Sequence, residues 1–254
     1  VIGNTPPAMS GVRIEPPSPV QTDTLRAVAE TSDLDNDSVT VRWIWTVNDD
    51  VAQDGTNETF EAFDVQRDDR IYVNGIPNDG DDDGFAYSSK TVTIGNSLPE
   101  LLSAALSEDT IDQNSLLKTV DVVTYDADGD EVTYTTVWHA DDVTFTTSEL
   151  RINGLSEGTL VFAELIPWDG RDEGTPFETE ALMVMNTPPR VAEAQIEPRP
   201  AHAQSILDAT ANVVEPDGDP LSIFYTWTVN GTIVKDSASA TLESGFVRSD
   251  KVGV

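Results

Sequence analysis

The stretch Asp126–Trp138, DADGDEVTYTTVW, decides the fold, and it occurs three times in the chain. The other copies are Asp33–Trp45, DLDNDSVTVRWIW, and Glu215–Trp227, EPDGDPLSIFYTW. In each copy the last acidic residue stands eight positions before the final tryptophan (45 − 37, 138 − 130 and 227 − 219). Each copy therefore predicts an acidic turn that leads into a strand ending on a large aromatic side chain.

The strand after each acidic turn alternates between two kinds of side chain. One face of the first copy carries Val39, Val41, Trp43 and Trp45, and the matching sets are Val132, Tyr134, Thr136, Trp138 and Leu221, Ile223, Tyr225, Trp227. The opposite face of the second copy is more polar, with Thr133, Thr135 and His139. This alternation predicts antiparallel sheets with one core face and one solvent face, and places the three tryptophans in the core.

A second motif sets the length of the repeat. Asn-Thr-Pro-Pro begins at Asn4 and at Asn186, and Asn96 begins a looser copy, so the spacings are 96 − 4 = 92 and 186 − 96 = 90. A unit of this size suits a small β-sandwich. We predict an all-β fold of tandem immunoglobulin-like antiparallel β-sandwich domains in an elongated array. The predicted domains are 1–3 (the end of a preceding repeat), 4–95, 96–185 and 186–254, the last C-terminally incomplete because Phe246–Val254 aligns with Val65–Val73.

Composition excludes several classes of function. The chain has 46 acidic and 14 basic residues and a net charge of −32, which argues against a nucleic-acid partner. So large a charge calls for screening, either by bound divalent cations or by a very salty medium, and composition leaves both open. The chain has no cysteine and therefore no disulfide or thiolate metal site. No apolar run is long enough for membrane insertion.

The acidic turns are the candidate metal ligands. Asp126, Asp128 and Asp130 alternate along the chain, and Gly129 permits a tight turn between them. Calcium binds carboxylate and carbonyl oxygens of this kind. The loop is not an EF-hand, because its sixth residue is Glu131 and its twelfth is Val137. The alternative is that Asp and Gly are simply good turn formers.

A second acidic turn is expected at the same end of each sandwich. Ile76–Gly80 and Ile166–Gly170 contain Asp-Gly hairpin signals and are the predicted F–G loops, whereas the acidic turns are the predicted B–C loops. In an immunoglobulin-like sandwich the B–C and F–G loops share one pole. Asn4, Asn96 or Asn186 should lie nearby, so a cation there would tie one domain to the next. The predicted metal ligands are Asp33, Asp35, Asp37, Asp79, Asp81, Asp126, Asp128, Asp130, Asp169, Asp172, Glu215, Asp217 and Asp219.

These motifs together resemble a known family. The run N-T-P-P, D-x-D-G-D-x-V-T-Y-x-x-x-W, P-x-D-G and a closing strand ending in Asn is similar to tandem immunoglobulin-like repeats, of PKD or cadherin-like type, in bacterial and archaeal surface proteins. The resemblance implies an extracellular stalk or adhesin, often calcium-stabilised. Three residues depart from the pattern: Asn36 replaces the turn glycine, Glu215 replaces the first Asp, and Leu98 interrupts the Pro-Pro pair.

Two functions compete at this stage. The first is a structural spacer or filament shaft on a cell surface, with neighbouring repeats, other surface proteins or glycans as its partners. The second is an accessory array of a secreted enzyme that binds carbohydrate or protein. Trp168 in the F–G loop would contact a glycan in that case, and its alternative role is to cover a domain junction. No catalytic site is expected, because His139 and His202 belong to no triad or metal-ligand pattern.

Overall fold

The computed structural model describes residues 3–61, 65–243 and 250–254, and the secondary structure in these ranges is entirely β. None of these residues belongs to a helix that is long and apolar enough to cross a membrane. The strands are β1 Ala8–Glu15, β2 Thr24–Ser32, β3 Thr40–Val47, β4 Asp50–Gly55, β5 Thr59–Glu61, β6 Arg70–Asn78, β7 Tyr87–Ser88, β8 Val92–Thr93, β9 Glu100–Leu106, β10 Leu116–Tyr125, β11 Thr133–Ala140, β12 Val143–Phe145, β13 Glu149–Arg151, β14 Leu160–Trp168, β15 Phe177–Glu178, β16 Leu182–Met183, β17 Arg190–Glu197, β18 Leu207–Val214, β19 Tyr225–Val229, β20 Thr232–Ser237, β21 Thr241–Leu242 and β22 Val252–Gly253.

The sheets repeat one plan along the chain. One sheet of the first repeat has the order β1-β2-β5, and the other has the order β4-β3-β6-β7, with β8 also paired to β6. The second repeat has β13-β10-β9 and β12-β11-β14-β15, with β16 on β14, and the third has β17-β18-β21 and β20-β19-β22. Two antiparallel sheets per repeat, recurring in this way, confirm the predicted all-β tandem immunoglobulin-like sandwich.

The chain forms two compact units that cut across the repeats. The first comprises Val1–Ala104, Asp121–Thr136 and Glu164–Glu178, and the second comprises Ala105–Val120, Val137–Ala163 and Thr179–Val254. The first unit thus contains the acidic loops of the second repeat as well as the whole first repeat. The repeat boundaries at 4–95, 96–185 and 186–254 stay a prediction, and much of the expected end of a preceding repeat, together with part of Phe246–Val254, lies outside the described residues.

The core of the first repeat shows why the strand after the acidic turn recurs with the same pattern in each repeat. Trp43 and Trp45 of β3 pack in one cluster with Leu25 of β2 and Ile71 of β6, and Trp45 stacks on Phe60 with ring centroids 5.5 Å apart. Trp45, Trp138 and Trp227 are all fully buried, which confirms their predicted place in the core. Trp138 also donates a hydrogen bond from Nε1 to the Thr147 carbonyl oxygen, at 3.0 Å.

The predicted apolar face is wrong at three positions. Tyr134 is 41% exposed because it lies at the start of β11, next to the acidic turn. Leu221 and Ile223 are 43% and 36% exposed. Both precede β19, which begins only at Tyr225, and β22 pairs with no residue of β19 before Thr228.

Candidate metal centre at the acidic poles

Each acidic turn is built around its first carboxylate. Asp33 Oδ1 accepts hydrogen bonds from the backbone amides of Asp35 and Asp37 at 2.8 and 3.0 Å, and Asp126 Oδ1 accepts them from Asp128 and Asp130 at 2.9 and 3.0 Å. The turn needs a left-handed residue, which is Gly129 (φ 79°) in the second repeat and Asn36 (φ 64°) in the first. Because asparagine tolerates this conformation, the departure at Asn36 leaves the turn intact.

The second carboxylate of each turn binds the segment that enters the repeat. Asp35 Oδ2 accepts the Thr5 amide at 2.6 Å, and Asp128 Oδ2 accepts the Ser97 amide at 2.6 Å. The third repeat makes the same bond, from the Thr187 amide to Asp217 Oδ2 at 2.5 Å. The residue after the leading asparagine is therefore fixed to the acidic turn in all three repeats.

The leading asparagine joins the same segment to the F–G loop. Asn4 Nδ2 donates to Asp79 Oδ2 and Asp82 Oδ2, both at 3.0 Å. Asn96 Nδ2 donates to Asp169 Oδ2 at 2.7 Å and to Asp172 Oδ2 at 3.1 Å. The entry segment thus lies between the B–C and F–G loops, as the topology predicted, and it holds the two loops at one pole.

These hydrogen bonds favour the charged form of the F–G aspartates. Bonds from the Asp82 backbone, the Asn4 side chain and the Asp81 backbone hold the pKa of Asp79 below its usual value. Burial opposes ionisation of Asp169, but bonds from the Asp172 backbone, the Asn96 side chain and the Arg171 backbone outweigh it, so the pKa of Asp169 is also lowered. Both groups are carboxylates at neutral pH.

A close backbone approach explains a glycine in each F–G loop. A Cβ atom on Gly84 would lie 2.0 Å from the Pro7 carbonyl oxygen, and one on Gly174 would lie 1.8 Å from that of Pro99. No side chain fits at such distances. Each glycine is 4 residues after the glycine of the Asp-Gly turn (84 − 80 and 174 − 170), so the same spacing places a glycine against the entry segment in both repeats.

One residue of the first repeat reaches the pole of the second. Arg67 donates from Nη1 to Asn96 Oδ1 at 2.8 Å and to Asp130 Oδ2, and from Nη2 to Asp130 Oδ1 at 3.2 Å. Arg67 Nη1 also lies 3.6 Å from Asp128 Oδ2. The side chain of Asp128 is only 1% exposed and that of Asp130 is 25% exposed, whereas the matching Asp35 and Asp37 are exposed.

The last carboxylates of the two turns respond in opposite directions. Loss of solvent, followed by repulsion from Asp33, Asp35, Asp79 and Asp81, raises the pKa of Asp37. At the matching position the hydrogen bond from Arg67 is the largest influence on Asp130, and it lowers the pKa of that group. The first pole therefore carries unbalanced negative charge, and the second has a guanidinium.

The predicted ligands fall into two groups. Asp126, Asp128 and Asp130 offer oxygen atoms that all lie within 4.8 Å of one another, the one such set of three or more acidic or imidazole ligands among the described residues. Asp33, Asp35 and Asp37 share a turn without meeting that distance, and Asp81 is exposed. In the third repeat, Glu215 Oε2 accepts the Asp219 amide at 2.7 Å, and Asn186 is exposed.

An orphaned oxygen tests whether a cation fits these turns. Asp33 Oδ2, Asp126 Oδ2 and Asp217 Oδ1 are buried atoms without a hydrogen-bond partner. A buried carboxylate oxygen without a partner is costly, and an oxygen-seeking cation such as calcium would satisfy it. The donor set therefore fits calcium.

Sequence reasoning missed two residues of the poles. Asp82 shares Asn4 with Asp79, and the 90-residue offset from the predicted Asp172 would have found it (172 − 82). Arg67 had no such signal, because its role depends on how the first repeat meets the second. Trp168, a suggested junction or glycan contact, lies at the end of β14 with 41% of its surface exposed.

Comparison with known proteins adds a coarse likeness. No protein-family model and no curated protein matches the chain. Among solved structures, it is similar to the FN1–FN3 domains of chicken CNTN1 at 10% identity and a TM-score of 0.28, covering 94% of this chain and 88% of that one. It is also similar to the fibronectin(III)-like modules of Clostridium thermocellum CbhA, at 14% identity and a TM-score of 0.29, covering 69% of this chain and 94% of that one. A third similar structure contains three N-terminal domains of the bacteriophage RB49 Highly Immunogenic Outer Capsid protein, at 15% identity and a TM-score of 0.28, covering 94% of this chain and 88% of that one.

Proposed function

We propose that this chain is a non-catalytic structural spacer, a stalk or filament shaft of an extracellular, adhesin-like surface protein whose repeats are joined at acidic poles. The observation that carries the proposal is the double role of Asn96. Its Oδ1 accepts a hydrogen bond from Arg67 of the first repeat, and its Nδ2 donates to Asp169 and Asp172 of the second. A spacer needs consecutive domains that are coupled without a flexible linker. Asn96 provides such a coupling, because it is hydrogen-bonded to both the first and the second repeat.

Calcium stiffening of the poles is the second part of the proposal. The orphaned oxygens Asp33 Oδ2 and Asp217 Oδ1, in the first and third repeats, support it, as does the pKa of Asp37, which is raised by loss of solvent and then by repulsion from neighbouring aspartates. When bound, calcium would supply the missing partner of these oxygens and neutralise the turn. The chain's own residues shape the pole: the backbone amides hold the carboxylates in place, and Asn4 and Asn96 join the two loops.

Calcium binding is tested by melting the protein in chelator and in millimolar calcium at constant ionic strength. Stabilisation should grow with the calcium concentration in the way expected of a ligand that binds only the native state. The Asp33→Asn variant should lose the part of the response that comes from the first pole. Sodium chloride that stabilises as well as calcium, with no effect of chelator, would instead support adaptation to a salty medium.

A second candidate function, carbohydrate binding, rests on an aromatic groove in the first repeat. Pro6, Pro7, Asp83, Phe85 and Tyr87 line this groove, and Phe85 and Tyr87 are 87% and 45% exposed. Aromatic faces beside a carboxylate are suited to sugar rings and their hydroxyl groups.

The matching residue of the second repeat is Thr175, so the groove departs from the repeat pattern (85 + 90). Titration with a panel of soluble oligosaccharides tests the groove. Phe85→Ala should abolish binding, and Val51→Ala, a change at another exposed apolar residue, should not.

A further inference from the structure

We propose that Arg67 is a tethered cation that clamps the first repeat to the acidic turn of the second and occupies there the place of a metal ion. The proposal rests on the cation binding proposed for the poles and assigns one junction a different chemistry. Arg67 approaches the turn that is best arranged for a metal, since Asp126, Asp128 and Asp130 are the set whose oxygens lie within 4.8 Å of one another.

The geometry of Arg67 is that of a specific bidentate pair. Its two terminal nitrogens donate to the two oxygens of Asp130, and Nη1 also donates to Asn96. A guanidinium that donates two parallel hydrogen bonds to a carboxylate forms a stronger and more directional interaction than a single charge contact. Because the Arg67 side chain is 19% exposed and that of Asp130 is 25% exposed, solvent screens this contact less than it would screen a fully exposed pair.

A metal ion and Arg67 compete for the same atoms. A calcium ion held by this turn would take one oxygen of Asp130, and both oxygens of Asp130 are bonded to Arg67, so the ion would lie beside the positive guanidinium. Two cations at one carboxylate repel each other, so occupancy by one lowers the affinity for the other. The protein's own cation therefore occupies the Asp130 side of the turn and leaves Asp126 Oδ2 without a hydrogen-bond partner.

The next repeat reverses the charge at the same backbone position. The Asp68 amide donates to the Ile94 carbonyl at 2.9 Å, and the Gly158 amide donates to the Val184 carbonyl at 2.8 Å, which places Glu157 where the first repeat has Arg67. The backbone conformation matches as well, because the residues after Arg67 and Glu157 both have positive φ, 74° at Asp68 and 86° at Gly158. The acidic turn of Glu215, Asp217 and Asp219 therefore receives no guanidinium from this position, so within the part of the chain that the structure describes the clamp belongs to the first junction and not to the second.

The test is calcium titration of the full chain by calorimetry at constant ionic strength, with Arg67→Gln as the variant. The Arg67→Gln protein should bind one calcium ion that the wild type does not, or bind it at least about tenfold more tightly. Adding Asp126→Asn should remove the gained site. The control is Arg171→Gln, because Arg171 Nε lies 3.9 Å from Asp130 Oδ2 on a side chain that is 58% exposed. The control should bind calcium as the wild type does.

A second measurement, in chelator, reports on the clamp without any metal. Melting temperatures of Arg67→Gln, Asp130→Asn and the double variant should be non-additive, with the double variant little worse than either single one. Additive losses, or equal calcium binding by wild type and Arg67→Gln, would overturn the proposal. If Asp33→Asn leaves the calcium-dependent rise in melting temperature unchanged, calcium does not bind at the first pole and the proposed stiffening is overturned. The Arg67 proposal is still tested in that case, because the double variant in chelator requires no metal.

Discussion

At the scale of single residues, the fully buried tryptophans anchor the sandwiches. Trp138→Ala removes the largest buried side chain of β11 and its hydrogen bond to Thr147, so we expect a loss of about 3–5 kcal/mol in the free energy of unfolding. That is a large share of a small domain's stability. Denaturant unfolding measures it. Trp168→Ala is the matched control, and a similar loss there would contradict the assignment of the core.

The glycines of the F–G loops give a second residue-scale prediction. Gly174→Ala should destabilise the protein by about 1–3 kcal/mol, because a Cβ atom would lie 1.8 Å from the Pro99 carbonyl oxygen and the entry segment would have to move. Gly55→Ala, where a Cβ atom would meet nothing within 4 Å, is the control. Equal melting temperatures for the two variants would show that the entry segment is not held against the loop.

Residue patterns in the sequence predicted the poles only in part. The aspartate spacing and the Asn-Thr-Pro-Pro motif were sufficient to place the entry segment between two acidic loops, because both are local features of one repeat. Arg67 could not be predicted, since nothing within one repeat shows which side chain of the preceding repeat will reach Asp130. Leu221 and Ile223 were misassigned because alternation shows which residues share a face but not where the pairing of a strand begins.

At the scale of the acidic turns, the matching residues Asp37 and Asp130 should respond oppositely to loss of charge. The folded pKa of Asp37 is raised, so its charge opposes folding at neutral pH, and Asp37→Asn should stabilise the protein in chelator. The gain should vanish as the pH falls below the unfolded pKa of about 3.9. In calcium the order should reverse, because the variant lacks a ligand. Melting curves at several pH values measure both effects.

Asp130 gives the opposite case. Its folded pKa is lowered chiefly by Arg67, so its charge contributes stability above the unfolded pKa, and this stability is lost as the pH falls through the folded pKa. Asp130→Asn should therefore destabilise the protein at neutral pH and approach the wild type in acid. A variant that is as stable as the wild type at neutral pH would show that the Arg67 contact contributes nothing.

At the scale of the whole molecule, three repeats of one sandwich plan support a spacer whose junctions differ in chemistry. The first junction has a guanidinium at the acidic turn, whereas the second has Glu157 at the corresponding position. Glu157→Arg is expected to bring a cation to the turn of Asp217 and Asp219 and to raise the melting temperature in chelator more than in calcium. Glu157→Gln is the control, because it removes the repulsion between Glu157 and the acidic turn without adding a guanidinium.

The most direct test of the account is a distance distribution between the first two repeats. Because the chain has no cysteine, spin labels can be attached at Val51→Cys and Val123→Cys, which are 64% and 49% exposed in the native residues. In chelator, electron–electron dipolar spectroscopy should give one narrow distribution. The additional change Arg67→Gln should broaden it, and calcium should narrow it again. A broad distribution in the unaltered junction, or one that Arg67→Gln leaves unchanged, would contradict the central claim that this junction is held by its own cation.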